Sequence, residues 1–85
     1  MKRLIFLFQP GCPSCEAMHP TLQKLKAERR DIEVIAFDLT TTVWPEWLNW
    51  APTATPTFIL QRRGRPMIAG EGKTSYENLV RWIDS

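Results

Sequence analysis

Hydrophobic and polar positions change their rhythm several times along the chain. Residues 2–8 carry a continuous apolar run, Leu4-Ile5-Phe6-Leu7-Phe8. Such a run predicts a central strand covered on both faces. Gln9-Pro10-Gly11 breaks it. From about Pro13 to Arg29 the period becomes helical, with Met18, Leu22 and Leu25 on the apolar side. Pro20 lies inside that stretch and predicts a kink, because it removes one backbone bond and crowds the preceding turn. Ile32 to Leu39 alternates. Ile32, Val34, Ala36 and Asp38 share one face; Glu33, Ile35, Phe37 and Leu39 share the other. Strand, helix, strand predicts a βαβ unit with parallel strands and a right-handed crossover.

The second half reads less simply. Trp44, Trp47 and Trp50 recur every third residue between Pro45 and Pro52. This predicts a short helix that Pro45 starts and Pro52 ends, with the three rings close to one face. The rings are expected to cover a sheet face rather than to form a partner patch. Thr57–Gln61 and Pro66–Ala69 predict an antiparallel hairpin around Arg62-Arg63-Gly64-Arg65, with Pro66 marking an edge strand. Gly70-Glu71-Gly72-Lys73 reads as a loop. Thr74 or Ser75 caps a last helix ending near Asp84, and Glu77 is the capping-box partner if Thr74 is the cap.

Length and charge narrow the classes. Eighty-five residues make one domain, 1–85, burying a little over ~60% of its unfolded surface. The net charge of +2 argues neither for nucleic acid nor for a membrane surface. The basic hairpin turn reads as a solvated one. No apolar run approaches the ~20 residues of a membrane span. The apolar stretch after Lys2-Arg3 is too short for a signal peptide. A cytoplasmic location and a monomer are expected.

The chemistry concentrates at Cys12 and Cys15, the two cysteines of the chain. A strand delivers Cys12-Pro13-Ser14-Cys15 to the start of a helix. Unpaired N–H groups there favour a thiolate on Cys12. Cys15 lies one turn on, where it can resolve a mixed disulfide. Pro13 stiffens the turn, and Ser14 offers a hydroxyl or backbone N–H. A zinc site needs about four ligands, and the only other good candidate is His19, so no metal is expected. His19 is one turn after Cys15 and reads as a helix-surface residue, with proton transfer as its functional alternative.

These features together resemble the thioredoxin family. Cys12-Pro13-Ser14-Cys15 has that family's spacing, and Pro20 sits where members kink the same helix. Thr55-Pro56-Thr57-Phe58-Ile59-Leu60 is similar to the segment with a cis proline. Gly64 and Gly72 fall at the hairpin turn and at the loop before the last helix. The resemblance implies an α/β fold of glutaredoxin size: a four-stranded mixed sheet with three helices, in the order βαβ then α-β-β-α. It lacks the N-terminal strand and helix of a full thioredoxin.

The resemblance also implies a function. Cys12 attacks protein disulfides and Cys15 resolves, with a redox-active Cys12–Cys15 disulfide and no other cofactor. Pro13, Ser14, Thr55, Pro56 and Gly72 border the substrate. Thr55 offers its backbone to an extended segment, and Gly72 leaves room for it. A thioredoxin-reductase-like donor supplies electrons. The family's buried acid is replaced by Phe6, which leaves Glu16, His19 or water to move protons. Glu16 follows Cys15 and is expected to oppose a thiolate, making Cys12 less acidic than in strongly oxidising relatives. A glutaredoxin using glutathione is the nearest alternative, and a non-enzymatic binding module built on the Trp segment is the alternative from another class.

Overall fold

The computed structural model describes residues 2–41 and 43–85. The first strand, β1, is Lys2–Phe8. It is followed by helices α1 (Pro13–Ala17) and α2 (His19–Glu28), then strand β2 (Ile32–Asp38). Strands β3 (Thr57–Arg62) and β4 (Ile68–Glu71) come next, and helix α3 (Tyr76–Asp84) closes the order. The sheet runs β2-β1-β3-β4. β1 pairs parallel with β2 and antiparallel with β3, and β3 pairs antiparallel with β4. β1 therefore lies inside the sheet. Leu4, Ile5, Phe6 and Leu7 are all buried, which explains its unbroken apolar run.

One face of the sheet is the main core. Leu4, Phe6, Phe58 and Leu60 meet Met18, Leu22 and Leu25 from the first helical stretch and Leu79 and Ile83 from α3. The other face carries Ile5, Leu7 and Ile59, and no helix among the described residues covers it; Leu39 and Leu48 close it, with Trp47 half-buried against them.

Several expected elements shift. The stretch 13–29 is two helices rather than one kinked helix. The break falls at Met18, two residues before Pro20. Pro20 has no N–H to give the Glu16 carbonyl, so the turn tightens and Met18 N–H bonds Cys15 O at 3.1 Å. Met18 itself is fully buried, so the break is packed shut.

The Trp44–Trp50 helix does not form. One turn survives, in which Leu48 N–H reaches Pro45 O at 3.0 Å. Two prolines seven residues apart leave too few N–H groups to propagate a helix. The three rings then part company: Trp47 packs edge-on against Phe37 with ring centres 6.1 Å apart, while Trp44 and Trp50 are exposed. Leu48, rather than a trio of Trp, is the plug of this face. Leu48→Ala is expected to cost about 2–3 kcal/mol in urea unfolding through loss of that plug, against little for Trp50→Ala.

The fourth strand begins at Ile68 rather than Pro66 and extends to Glu71, taking Gly70 and Glu71 out of the expected loop. Its register, Leu60↔Ile68 through Thr57↔Glu71, leaves Pro66 in the turn. The cap of α3 is Ser75, whose hydroxyl oxygen accepts from Asn78 N–H at 3.2 Å. Glu77 is thereby within the first turn, and the Thr74–Glu77 box is absent. No helix among the described residues is long and apolar enough to cross a membrane.

Candidate functional site

β1 ends at Phe8, and Gln9-Pro10-Gly11 turns the chain toward α1. Gly11 takes φ +78°, a left-handed conformation that glycine adopts without strain. Cys12 is the N-cap of α1, and its sulfur accepts the Cys15 backbone N–H at 3.2 Å. Pro13 occupies the first helical position, where its missing donor costs nothing. Because α1 has only five residues, its macrodipole is small. Discrete donors at the cap outweigh it.

The chain returns to this cap 43 residues later. The Thr55–Pro56 peptide is cis. Thr55 Oγ1 donates to Cys12 Sγ at 3.4 Å, and the Thr55 carbonyl lies 3.7 Å from the same sulfur, within reach of an S–H donor. Pro56 is buried, and its carbonyl accepts Gly72 N–H at 2.8 Å. That bond fastens the loop before α3 to the cis peptide. Gly72 holds φ +90° with open space beside its α-carbon. Glycine is thus required there by its backbone, and the space lies next to it. A recess of about 120 Å³ is lined by Gln9, Pro52, Thr53, Ala54 and Thr55.

The two thiols, both free, sit in contrasting surroundings. Cys12 is half-buried and Cys15 is buried, 2% exposed. A hydrogen bond from the Cys15 side chain, and then one from Thr55, lower the Cys12 thiol below its ordinary value. Burial raises Cys15, and its hydrogen bond to Cys12 raises it further; the Gln9 backbone N–H acts the other way. The pair is asymmetric: one thiol is primed to ionise and its neighbour keeps its proton. Thiolate absorbance should therefore rise in two separate steps on a pH titration, the first below and the second above the ordinary thiol value near 9.0. A single step of two thiols would contradict this assignment.

The remaining expected residues are placed less centrally. Ser14 is exposed one residue past Pro13. Glu16 is exposed, and the largest influences on Cys12 come from Cys15 and Thr55. His19 is exposed with its ring edge-on to Phe6, centres 6.3 Å apart. Neither Glu16 nor His19 hydrogen-bonds a sulfur among the described residues. Thr55 brings its hydroxyl to the sulfur as well, beyond the backbone role that the resemblance implied. The available signal was a hydroxyl side chain directly before the proline.

A paired-thiol cap beside a cis-proline loop, on a mixed four-stranded sheet, defines a thiol–disulfide oxidoreductase. The chain belongs to the thioredoxin family: the Thioredoxin family profile matches residues 2–85. Its fold is similar to that of mitochondrial thioredoxin 3 from Saccharomyces cerevisiae in its oxidised form. The two share 26% identity at a TM-score of 0.81, covering 98% of this chain and 76% of the yeast chain. Thioredoxin f2 of Chlamydomonas reinhardtii, 23% identical, shares the fold at a TM-score of 0.78 with 98% and 76% coverage. Among curated sequences, bloodstream-specific protein 2 of Trypanosoma brucei brucei is 30% identical over 82 residues. That match covers 94% of this chain and 16% of the length of the trypanosome protein.

Proposed function

We propose that the protein reduces disulfides in protein substrates by dithiol exchange, with Cys12 attacking and Cys15 resolving. The observation that carries this reading is the asymmetry of the two thiols, an accessible one lowered and a buried one raised. The Cys12 thiolate attacks one substrate sulfur, forms a mixed disulfide and expels the other substrate sulfur as a thiolate. Cys15 then loses its proton and attacks Cys12 Sγ. The second substrate thiolate leaves, and the Cys12–Cys15 disulfide forms. The substrate gains two electrons that the dithiol loses. A two-electron donor of the thioredoxin-reductase type restores the dithiol.

The substrate segment lies along Thr55, Pro56 and Gly72, beside Pro13 and Ser14. Its extended backbone pairs with Thr55. With no carboxylate at Phe6, water takes the Cys15 proton. Such a reductase needs a reducing compartment, and the cytosol is the one proposed. The test is reduction of insulin with NADPH and a thioredoxin reductase as electron source. Catalysed turnover is expected. Turnover with glutathione and its reductase, but none with thioredoxin reductase, would replace this reading with a glutaredoxin one.

A further inference from the structure

A cavity lies away from the cysteines. It opens at the far end of β1, about 20 Å away at the usual rise per strand residue, and has a volume of about 440 Å³. Its walls include Lys2, Asp31, Arg62, Arg63, Arg65 and Asp84. We infer that this cavity is a binding site for a small phosphorylated anion, one carrying two or more negative charges, separate from the dithiol site.

Three observations lead there. The first is a like-charge pair built into the sheet. Lys2 and Arg62 are direct antiparallel partners, an arrangement that costs stability unless an anion lies between the two. The second is a shortage of carboxylates. Asp84 is already engaged by Lys2 at 3.0 Å and by Arg29 at 2.8 Å, and Asp31 by Arg29 at 2.9 Å. Arg63 and Arg65 pair with no carboxylate among the described residues, and Arg62 gives one donor to the main-chain oxygen of Ser85, the last residue. Four wall cations, with Arg29 behind them, thus face Asp31, Asp84 and one Ser85 oxygen. The third is an unmet donor. One Arg62 nitrogen gives its proton to the Ser85 carbonyl at 2.9 Å, but its Nε is buried with no acceptor.

The shape selects among anions. The volume falls in the ~300–1,000 Å³ range of small-molecule sites. Planar guanidinium forks suit phosphate oxygens, which accept them two at a time. A monoanion leaves the charge excess largely uncompensated, whereas a pyrophosphate group meets it.

Inorganic pyrophosphate is the probe, titrated into the reduced protein by calorimetry and by amide NMR. One site is expected, with a dissociation constant at or below about 1 mM. Amides of Lys2 and Arg62–Arg65 should move while those of Cys12 and Thr55 stay. Arg65→Gln, an exposed turn substitution, should weaken binding about tenfold, with insulin reduction unchanged as evidence of an intact fold. Lys73→Gln, outside the cavity, should leave the affinity as it was. The assignment is overturned by no saturable binding up to about 10 mM, by equal affinity in Arg65→Gln, or by shifts spread over the whole surface. Saturation by single-stranded RNA or anionic vesicles where pyrophosphate fails would equally overturn it.

Discussion

Cys12→Ser should reduce insulin no faster than the reductant does alone, whereas Cys15→Ser should make one mixed disulfide per chain and stop. The two outcomes follow from where each sulfur sits. Cys12 accepts from Cys15 N–H at 3.2 Å and from the Thr55 hydroxyl at 3.4 Å, so the attacking thiolate is formed at this sulfur. A serine hydroxyl in its place stays protonated at neutral pH and cannot attack sulfur. Cys15 is buried and raised, so it begins no reaction with a bulky substrate. It reaches only the Cys12 sulfur above it. Without Cys15 the adduct has no internal attacker, and mass spectrometry should find the substrate half still attached. Adduct formation through Cys15 in the Cys12→Ser protein would reverse the roles argued above.

Phe6→Asp should unfold the protein at neutral pH and spare more of it in mild acid. Phe6 is 1% exposed. Its ring lies 5.7 Å from that of Phe8 and 5.4 Å from that of Phe58. Removing such a ring costs about 3–5 kcal/mol before the carboxyl is counted. Total stability for a domain of this length is on the order of 4–13 kcal/mol. A carboxylate in that pocket is taken out of water. Burial raises its folded pKa above the unfolded value of about 3.9. The charge penalty is therefore absent below the unfolded value and complete above the raised folded one, so the deficit against the parent shrinks as pH falls. Urea midpoints at about pH 4.5 and pH 7 check this. A variant as stable as its parent at pH 7 would mean the pocket already tolerates a charge.

Those two sites show how unevenly the chain reveals itself. The Leu4–Leu7 run spoke plainly because a strand buried on both faces has no polar positions to alternate. The Cys-x-x-Cys was legible from its place between a strand and a helix, but the proline of Thr55–Pro56 only through family likeness, since nothing local joins residues 43 apart. The Trp segment misled. Its three-residue spacing favours a helix, but Pro45 and Pro52 withhold donors, and burial went to Leu48 instead. The bounds of β4 were missed by two residues because pairing from Thr57↔Glu71 onward, not Pro66, sets where β4 starts. The Thr55 hydroxyl was hidden for another reason: its partner is a sulfur that only the folded chain brings near.

The depth of Cys15 has a practical corollary. To an alkylating reagent the native protein presents one reactive sulfur, while the unfolded chain presents two. Labelling at Cys15 then proceeds only as fast as the structure opens. The slow phase of a thiol-counting experiment, recorded in buffer without denaturant, thus reads out how often the cap of α1 lifts away from the sheet. The molecule carries its own stopwatch for breathing at the very spot where it does its chemistry.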